Sequence, residues 1–175
     1  MKDLLASSPP SQAPSQGLAI LEDPAKGVVV QDLSEYEIEG VDDLQHIVKI
    51  GNERRAVAAT GANQTSSRSH AILVFNVSTE TPDGQTLAKL QLVDLAGSER
   101  AQASDNRGQR MIEGANINKS LLALGNCINA LSNEGKKSSL APEKGFVGYR
   151  DSKLTRLLKD SLGGNTKTVM LACVS

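Results

Sequence analysis

Aromatic residues are scarce in this sequence: two Phe, two Tyr and no Trp, 2% of 175 residues. Any core must therefore be built from Leu, Ile, Val and Ala, within an apolar content of 39%. Cysteine is as rare. Cys127 and Cys173 stand in apolar runs without metal-ligand spacing, which argues against a disulfide scaffold or a zinc site and for reduced core thiols of an intracellular protein. No run approaches the roughly 20 apolar residues needed to cross a bilayer. Leu4-Leu5-Ala6, with an acid before it, is too short for a secretory signal. Also missing is Gly-x-x-x-x-Gly-Lys-Ser/Thr, the backbone nest that cradles nucleotide phosphates. Gly135-Lys136-Lys137-Ser138 only imitates it, because Ala130 stands at the leading glycine and a second lysine where Ser or Thr is required.

Charge of one sign is missing only on balance. The net charge is −1, yet residues 1–50 hold 3 basic against 9 acidic side chains, whereas 136–159 hold 7 basic against 2 acidic. A neutral chain with a basic stretch can present a local face to an acidic polymer.

Residues 6–17, rich in Ser, Pro and Gln, read as a low-complexity loop. Leu18–Leu21 and Val28–Val30 predict two short strands joined by a turn through Pro24 and Gly27. Residues 41–59 predict a helix on the spacing of Val41, Leu44, Ile47, Val48 and Val57, with Asp42 and Asp43 in its first turn. Arg54 and Arg55 read as its solvated end. Strands are predicted over 71–78 and 87–94, joined through Thr81-Pro82-Asp83-Gly84 as an antiparallel hairpin. A polar loop over 101–112 precedes a long helix over 112–133. Ile117, Leu121, Leu124, Ile128 and Leu131 form its apolar stripe, and Asn116, Asn118, Lys119, Asn126, Asn129 and Asn133 its polar side. So many asparagines, mediocre helix formers, are not explained by helix propensity. A basic loop over 134–148, an amphipathic helix over 152–162 ending at Gly163-Gly164, and a buried strand over 168–174 complete the chain.

Two polar stretches flank the hairpin. Leu90 to Arg100 is a short apolar strand ending in Asp94, with Gly97 three residues later and Glu99 after it. A carboxylate at a strand end can hold Mg²⁺ through water. The Gly97 N–H can donate to a γ-phosphoryl oxygen. The plain alternative is a buried strand followed by a capped turn. Asn63-Gln64-Thr65-Ser66-Ser67-Arg68-Ser69-His70, just before the other strand, gathers hydroxyls for Mg²⁺, an amide for a γ-phosphate or attacking water, and a guanidinium for a carboxylate. The hairpin brings Arg68 and Glu99 to one end, as a latch that closes on phosphate contacts or as an ordinary surface pair contributing about 0–1 kcal/mol.

Asn-x-x-Ser-Ser-Arg-Ser-His followed by Asp-Leu-Ala-Gly-Ser-Glu resembles the two switch regions of the kinesin motor domain. Asn116-Ile117-Asn118-Lys119-Ser120-Leu121 is similar to the start of that family's relay helix. Tyr149 to Leu158 and Asp160-Ser161-Leu162-Gly163-Gly164-Asn165 resemble its microtubule-facing loop and helix. Glu22-Asp23-Pro24, Gly27 to Val30 and Lys2 to Leu5 (a helix end) fit as well, and Gly114 to Leu131 is similar to kinesin subfamily eight. The resemblance implies an α/β fold: a partial kinesin-type P-loop NTPase motor with a mixed central sheet flanked by helices, its N-terminal half missing. Switch I falls on 63–70, switch II on 94–99, the relay helix on 112–133 and the microtubule-facing segment on 149–162.

The same resemblance implies ATP and Mg²⁺ as cofactors of a full-length parent. Ser66, Ser67, Asp94 and Gly97 would bind the nucleotide, Ser67 and (through water) Asp94 the metal, and Asn63, Arg68, Gly97 and Glu99 would act in hydrolysis. Microtubules would be held by Lys119, Lys136, Lys137, Lys144, Tyr149, Arg150, Lys153 and Arg156. It implies a cytoplasmic, cytoskeletal place, no nucleic-acid partner, no membrane insertion, and a parent that dimerises through segments outside this chain. Gly148, where many relatives carry proline, departs from the pattern. Without the phosphate nest the chain alone is expected to bind MgATP poorly and hydrolyse it no faster than background. Two other readings stay open: a non-catalytic microtubule-binding module made by truncation, and an unrelated phosphate-sensing protein sharing Asp-x-x-Gly.

Overall fold

The computed structural model describes residues 1–6, 17–24, 26–58, 69–82, 84–97, 109–134 and 146–172. Its chain divides into two units, one of residues 1–58 and 118–175, the other of 59–117.

In the first unit, β1 (Ile20–Asp23) and β2 (Gly27–Val30) pair antiparallel, with Ile20 opposite Val30 and Asp23 opposite Gly27. The turn is made by Asp23, whose Oδ1 accepts the Lys26 N–H at 2.8 Å, and by Gly27 at φ +72°. The positive φ favours glycine at Gly27, and a Cβ there would also push aside the Asp160 carboxylate. Asp160 Oδ2 accepts the Val28 N–H at 2.9 Å, pinning the hairpin to the end of the chain.

Helix α1 (Val41–Ala58) carries Asp42 and Asp43 in its first turn and Arg55 in its last, as the helix dipole favours. Its half-covered stripe is Leu44, Ile47, Ile50, Gly51 and Arg54, whereas Val41 and Val48 face solvent. Arg54 is not a solvated helix end. Its Nη1 donates to Leu4 O at 3.2 Å and Ala6 O at 2.6 Å, tying down the N-terminal segment. That segment, resembling a helix end in sequence, is a bend instead, because Asp3 bonds the Leu5 and Ser34 N–H groups at 2.8 Å each.

Helix α2 (Gln109–Glu134) starts three residues before the expected Ile112. Its covered face runs through Ile117, Leu121, Leu124, Ile128 and Leu131, with Ala123 and Cys127 buried beside them. Asn116, Asn118, Lys119, Asn126 and Asn129 are exposed, as the pattern predicts.

The expected single helix over 152–162 is broken. A 3₁₀ turn (Tyr149–Asp151) leads to α3 (Lys153–Leu157), and α4 (Lys159–Gly163) follows a bend at Leu158, with φ −89° and ψ 4°. Leu158 is buried, so packing rather than helix propensity sets its backbone. Helix α3 packs on both strands and α4 on β2, closing a small core of Ile20, Val28, Leu154 and Leu158. The expected strand over 168–174 does not form within the described residues. Val169 and Leu171 are 83% and 92% exposed, and no described strand flanks 168–172 to complete a ladder.

In the second unit, β3 (Ala71–Thr81) and β4 (Gly84–Asp94) make the predicted hairpin, longer than expected by three residues on each strand. Its register runs unbroken from Ala71 opposite Asp94 to Thr81 opposite Gly84. Gly84, at φ +130°, makes the reversal. The described strands thus form two separate two-stranded antiparallel sheets.

Candidate nucleotide switch and filament-facing segment

The Ala71–Asp94 pair closes the open end of the long hairpin, so His70 and the chain after Asp94 leave it side by side. There the Ala96 N–H donates to His70 Nδ1 at 3.0 Å, and Ala96 is buried. This bond fixes the tautomer: Nδ1 must hold a lone pair, which leaves any proton on Nε2. It ties the end of one polar stretch to the turn between Asp94 and Gly97. The sequence offered an imidazole in the right loop, but only the register showed what it holds.

Asp94 is exposed at its strand end and Gly97 half-buried. Asn63, Ser66, Ser67, Arg68 and Glu99 lie outside the described residues, and with them the Arg68–Glu99 latch. Among the described residues no group of three or more His, Cys, Asp or Glu could hold a metal ion. The strand-end carboxylate of Asp94 has the chemistry to hold Mg²⁺ through water, since this ion keeps several waters and takes few protein ligands.

The filament-facing candidates fall in the first unit. Ser152 caps α3 by accepting the Thr155 N–H at 3.0 Å, and Thr155 Oγ1 in turn accepts the Ser152 N–H at 3.2 Å. The same hydroxyl donates to Tyr149 O at 2.8 Å, so a fully buried threonine locks the 3₁₀ turn onto the helix. Tyr149, Arg150, Lys153 and Arg156 are thereby set on one rigid stretch. Lys119 and Asn126 of α2 line a hollow of about 300 Å³ with Asp151, which places Lys119 beside that stretch. Lys136, Lys137 and Lys144 lie outside the described residues.

Glu22, noted in sequence only as part of Glu-Asp-Pro, receives three cations: Lys159 Nζ at 3.0 Å, Arg150 Nη2 at 3.4 Å and Arg156 Nε at 3.9 Å. The hydrogen-bonded Lys159 ammonium holds its carboxyl below the usual carboxylate range; Arg150 adds to this and partial burial opposes it. Cys127 is a buried free thiol, pushed up by that burial and by the charge of Asp151.

The described part of the site is thus one hydrogen bond, from the Ala96 N–H to His70, at the base of an antiparallel hairpin. The chain belongs to the kinesin family: the model of the kinesin motor domain matches residues 1–175. It is 50% identical over 170 residues to Kinesin-like protein KIP3 of Saccharomyces cerevisiae, covering 94% of this chain and 20% of that protein. It is 52% identical over 168 residues to human KIF18B, covering 93% and 19%, and 49% identical over 172 residues to human KIF19, covering 93% and 16%. Among solved structures, a two-heads-bound KIF14 dimer with AMP-PNP in complex with a microtubule aligns at TM-score 0.76 and 39% identity, over 95% of this chain and 46% of that one. A fast kinesin aligns at TM-score 0.71 and 42% identity, over 93% and 42%. The chain thus spans about a fifth of the curated relatives' length and under half of the solved motor chains.

Proposed function

We propose that this chain is the switch-bearing and filament-binding part of a motor that couples ATP hydrolysis to movement on microtubules in the cytoplasm. The observation that carries the reading is the Ala96-to-His70 bond at the base of the hairpin, which joins the last residue of one switch-like stretch to the start of the other. Support comes from kinesin membership and from a relative, KIF14, solved with AMP-PNP in complex with a microtubule.

In this reading Ser66, Ser67, Asp94 and Gly97 bind MgATP. Ser67 and, through water, Asp94 would hold Mg²⁺, which supplies charge neutralisation at the phosphates. The Gly97 N–H donates to the γ-phosphoryl oxygens and Asn63 orients the attacking water. Arg68 and Glu99 latch the closed switches, with a fork-to-carboxylate geometry that reports closure. Lys119, Lys136, Lys137, Lys144, Tyr149, Arg150, Lys153 and Arg156 meet the filament. Placement in subfamily eight and dimerisation of the parent through other segments belong to the same proposal. So do the boundaries at 6–17, 63–70, 94–99 and 149–162, and the relay role of helix α2.

The test is Asp94→Asn in a motor chain that also carries the phosphate-cradling loop. Turnover with saturating microtubules should fall by far more than filament affinity. Equal losses in both would leave Asp94 with a structural role only.

A further inference from the structure

Glu22 is one carboxylate facing three cations from three elements: Arg150 from the 3₁₀ turn, Arg156 from α3 and Lys159 from α4. Its oxygens are unevenly used. Oε2 takes the Lys159 ammonium at 3.0 Å, while Oε1 is shared between Arg150 at 3.4 Å and Arg156 at 3.9 Å. Charge-assisted N–H···O bonds normally close to about 2.7–2.9 Å, and guanidinium prefers to grip a carboxylate with two parallel bonds. Neither arginine does so here. Arg156 Nε is buried and has no hydrogen-bond partner, and the Arg150 side chain is 78% exposed. The neighbouring carboxylates are engaged with the backbone, Asp160 Oδ2 accepting the Val28 N–H and Asp23 Oδ1 the Lys26 N–H.

We propose that Arg150, Arg156 and Lys159 form a carboxylate-binding cradle that Glu22 fills in the free chain, and that a carboxylate on the acidic filament surface displaces it. The choice of partner rests on the filament reading above; the cradle itself rests on the geometry. Exposed ion pairs of this kind contribute little to stability, so the exchange is easily made. Glu22 is then an internal competitor. It keeps three like charges converged while no filament is present and weakens binding while it stays. The hairpin that carries it is anchored by Asp160, so the vacated carboxylate remains close to the incoming one.

The experiment compares the whole 175-residue chain with its Glu22→Gln form. Each is titrated with labelled poly-glutamate and, separately, pelleted with microtubules, at low and at high salt. A carboxylate left about 7 Å from an incoming one in water weakens binding about threefold, and this repulsion is screened by salt. Glu22→Gln should therefore bind both polymers about threefold more tightly at low salt, with the difference gone at high salt. Adding Arg150→Ala should cancel the gain. Unchanged or weaker poly-glutamate binding by a folded Glu22→Gln chain overturns the cradle, and so does failure of that variant to fold. If poly-glutamate shows the gain but neither chain pellets with microtubules, the cradle stands and the filament is overturned as its partner.

Discussion

Replacing Thr155 by Val keeps the side-chain volume and removes the hydroxyl. That hydroxyl accepts the Ser152 N–H at 3.2 Å and donates to Tyr149 O at 2.8 Å, in a side chain with no exposed surface. The hydroxyl also lies 2.9 Å from Ser152 Oγ and 3.0 Å from Ser152 O, so at least two hydrogen bonds at about 1 kcal/mol each are lost, and the cost should be about 2–3 kcal/mol. Thr155→Ser keeps both bonds and removes one methyl, worth about 1 kcal/mol of burial. The ordering is the test: Val must destabilise more than Ser. Both tyrosines, Tyr36 and Tyr149, belong to the first unit and there is no Trp, so tyrosine emission during urea unfolding reports that unit alone. With a slope of about 2 kcal/mol per molar urea, Thr155→Val should lower the midpoint by roughly 1 M and Thr155→Ser by about half that. If Ser cost more than Val, apolar packing would govern the site and the hydroxyl lock would be refuted.

Two further outcomes follow from the titrating groups. In a Cys173→Ser chain, Cys127 should resist a thiol reagent at mildly alkaline pH until urea unfolds the first unit, because it is buried and its thiol is pushed up; rapid labelling of the folded chain would contradict its burial. Glu22 is held below the usual carboxylate range by Lys159 and Arg150, so its contribution is present above the ordinary glutamate value, about pH 4.3, and lost as pH falls through the lower folded-state value. Urea midpoints of the native chain and Glu22→Gln should therefore differ most above about pH 5 and converge in stronger acid, and a gap widening toward acid would reverse the sign of the argument.

Local signals were legible where one residue sets the backbone. Gly27 and Gly84 marked both hairpin turns, acidic first-turn residues marked α1, and helical spacing marked the covered face of α2. The switch motifs were read from chemistry and order, and the hairpin register then joined their near ends through His70 and Ala96. What escaped depended on partners distant in sequence. Glu22 meets cations 128 to 137 residues away, Asp160 reaches Val28, and Arg54 reaches the first six residues. The segment charges, acidic before residue 50 and basic over 136–159, were the one available hint of the Glu22 cluster. The strand expected over 168–174 failed for a related reason: β-branched and apolar residues favour extension, but a ladder needs neighbours.

The unbroken register of β3 and β4 also dictates where this chain tolerates an insertion. Side chains alternate faces with period two, so one residue added inside either strand would turn every side chain beyond it to the other face. At the base, the same slip would carry His70 away from the Ala96 N–H. At the tip, Thr81, Pro82 and Gly84 are exposed and the chain only reverses direction, so extra residues would lengthen a loop at small entropic cost. A label or short tag belongs beside Pro82, where it would ride on the end of an eleven-residue ladder without disturbing its root.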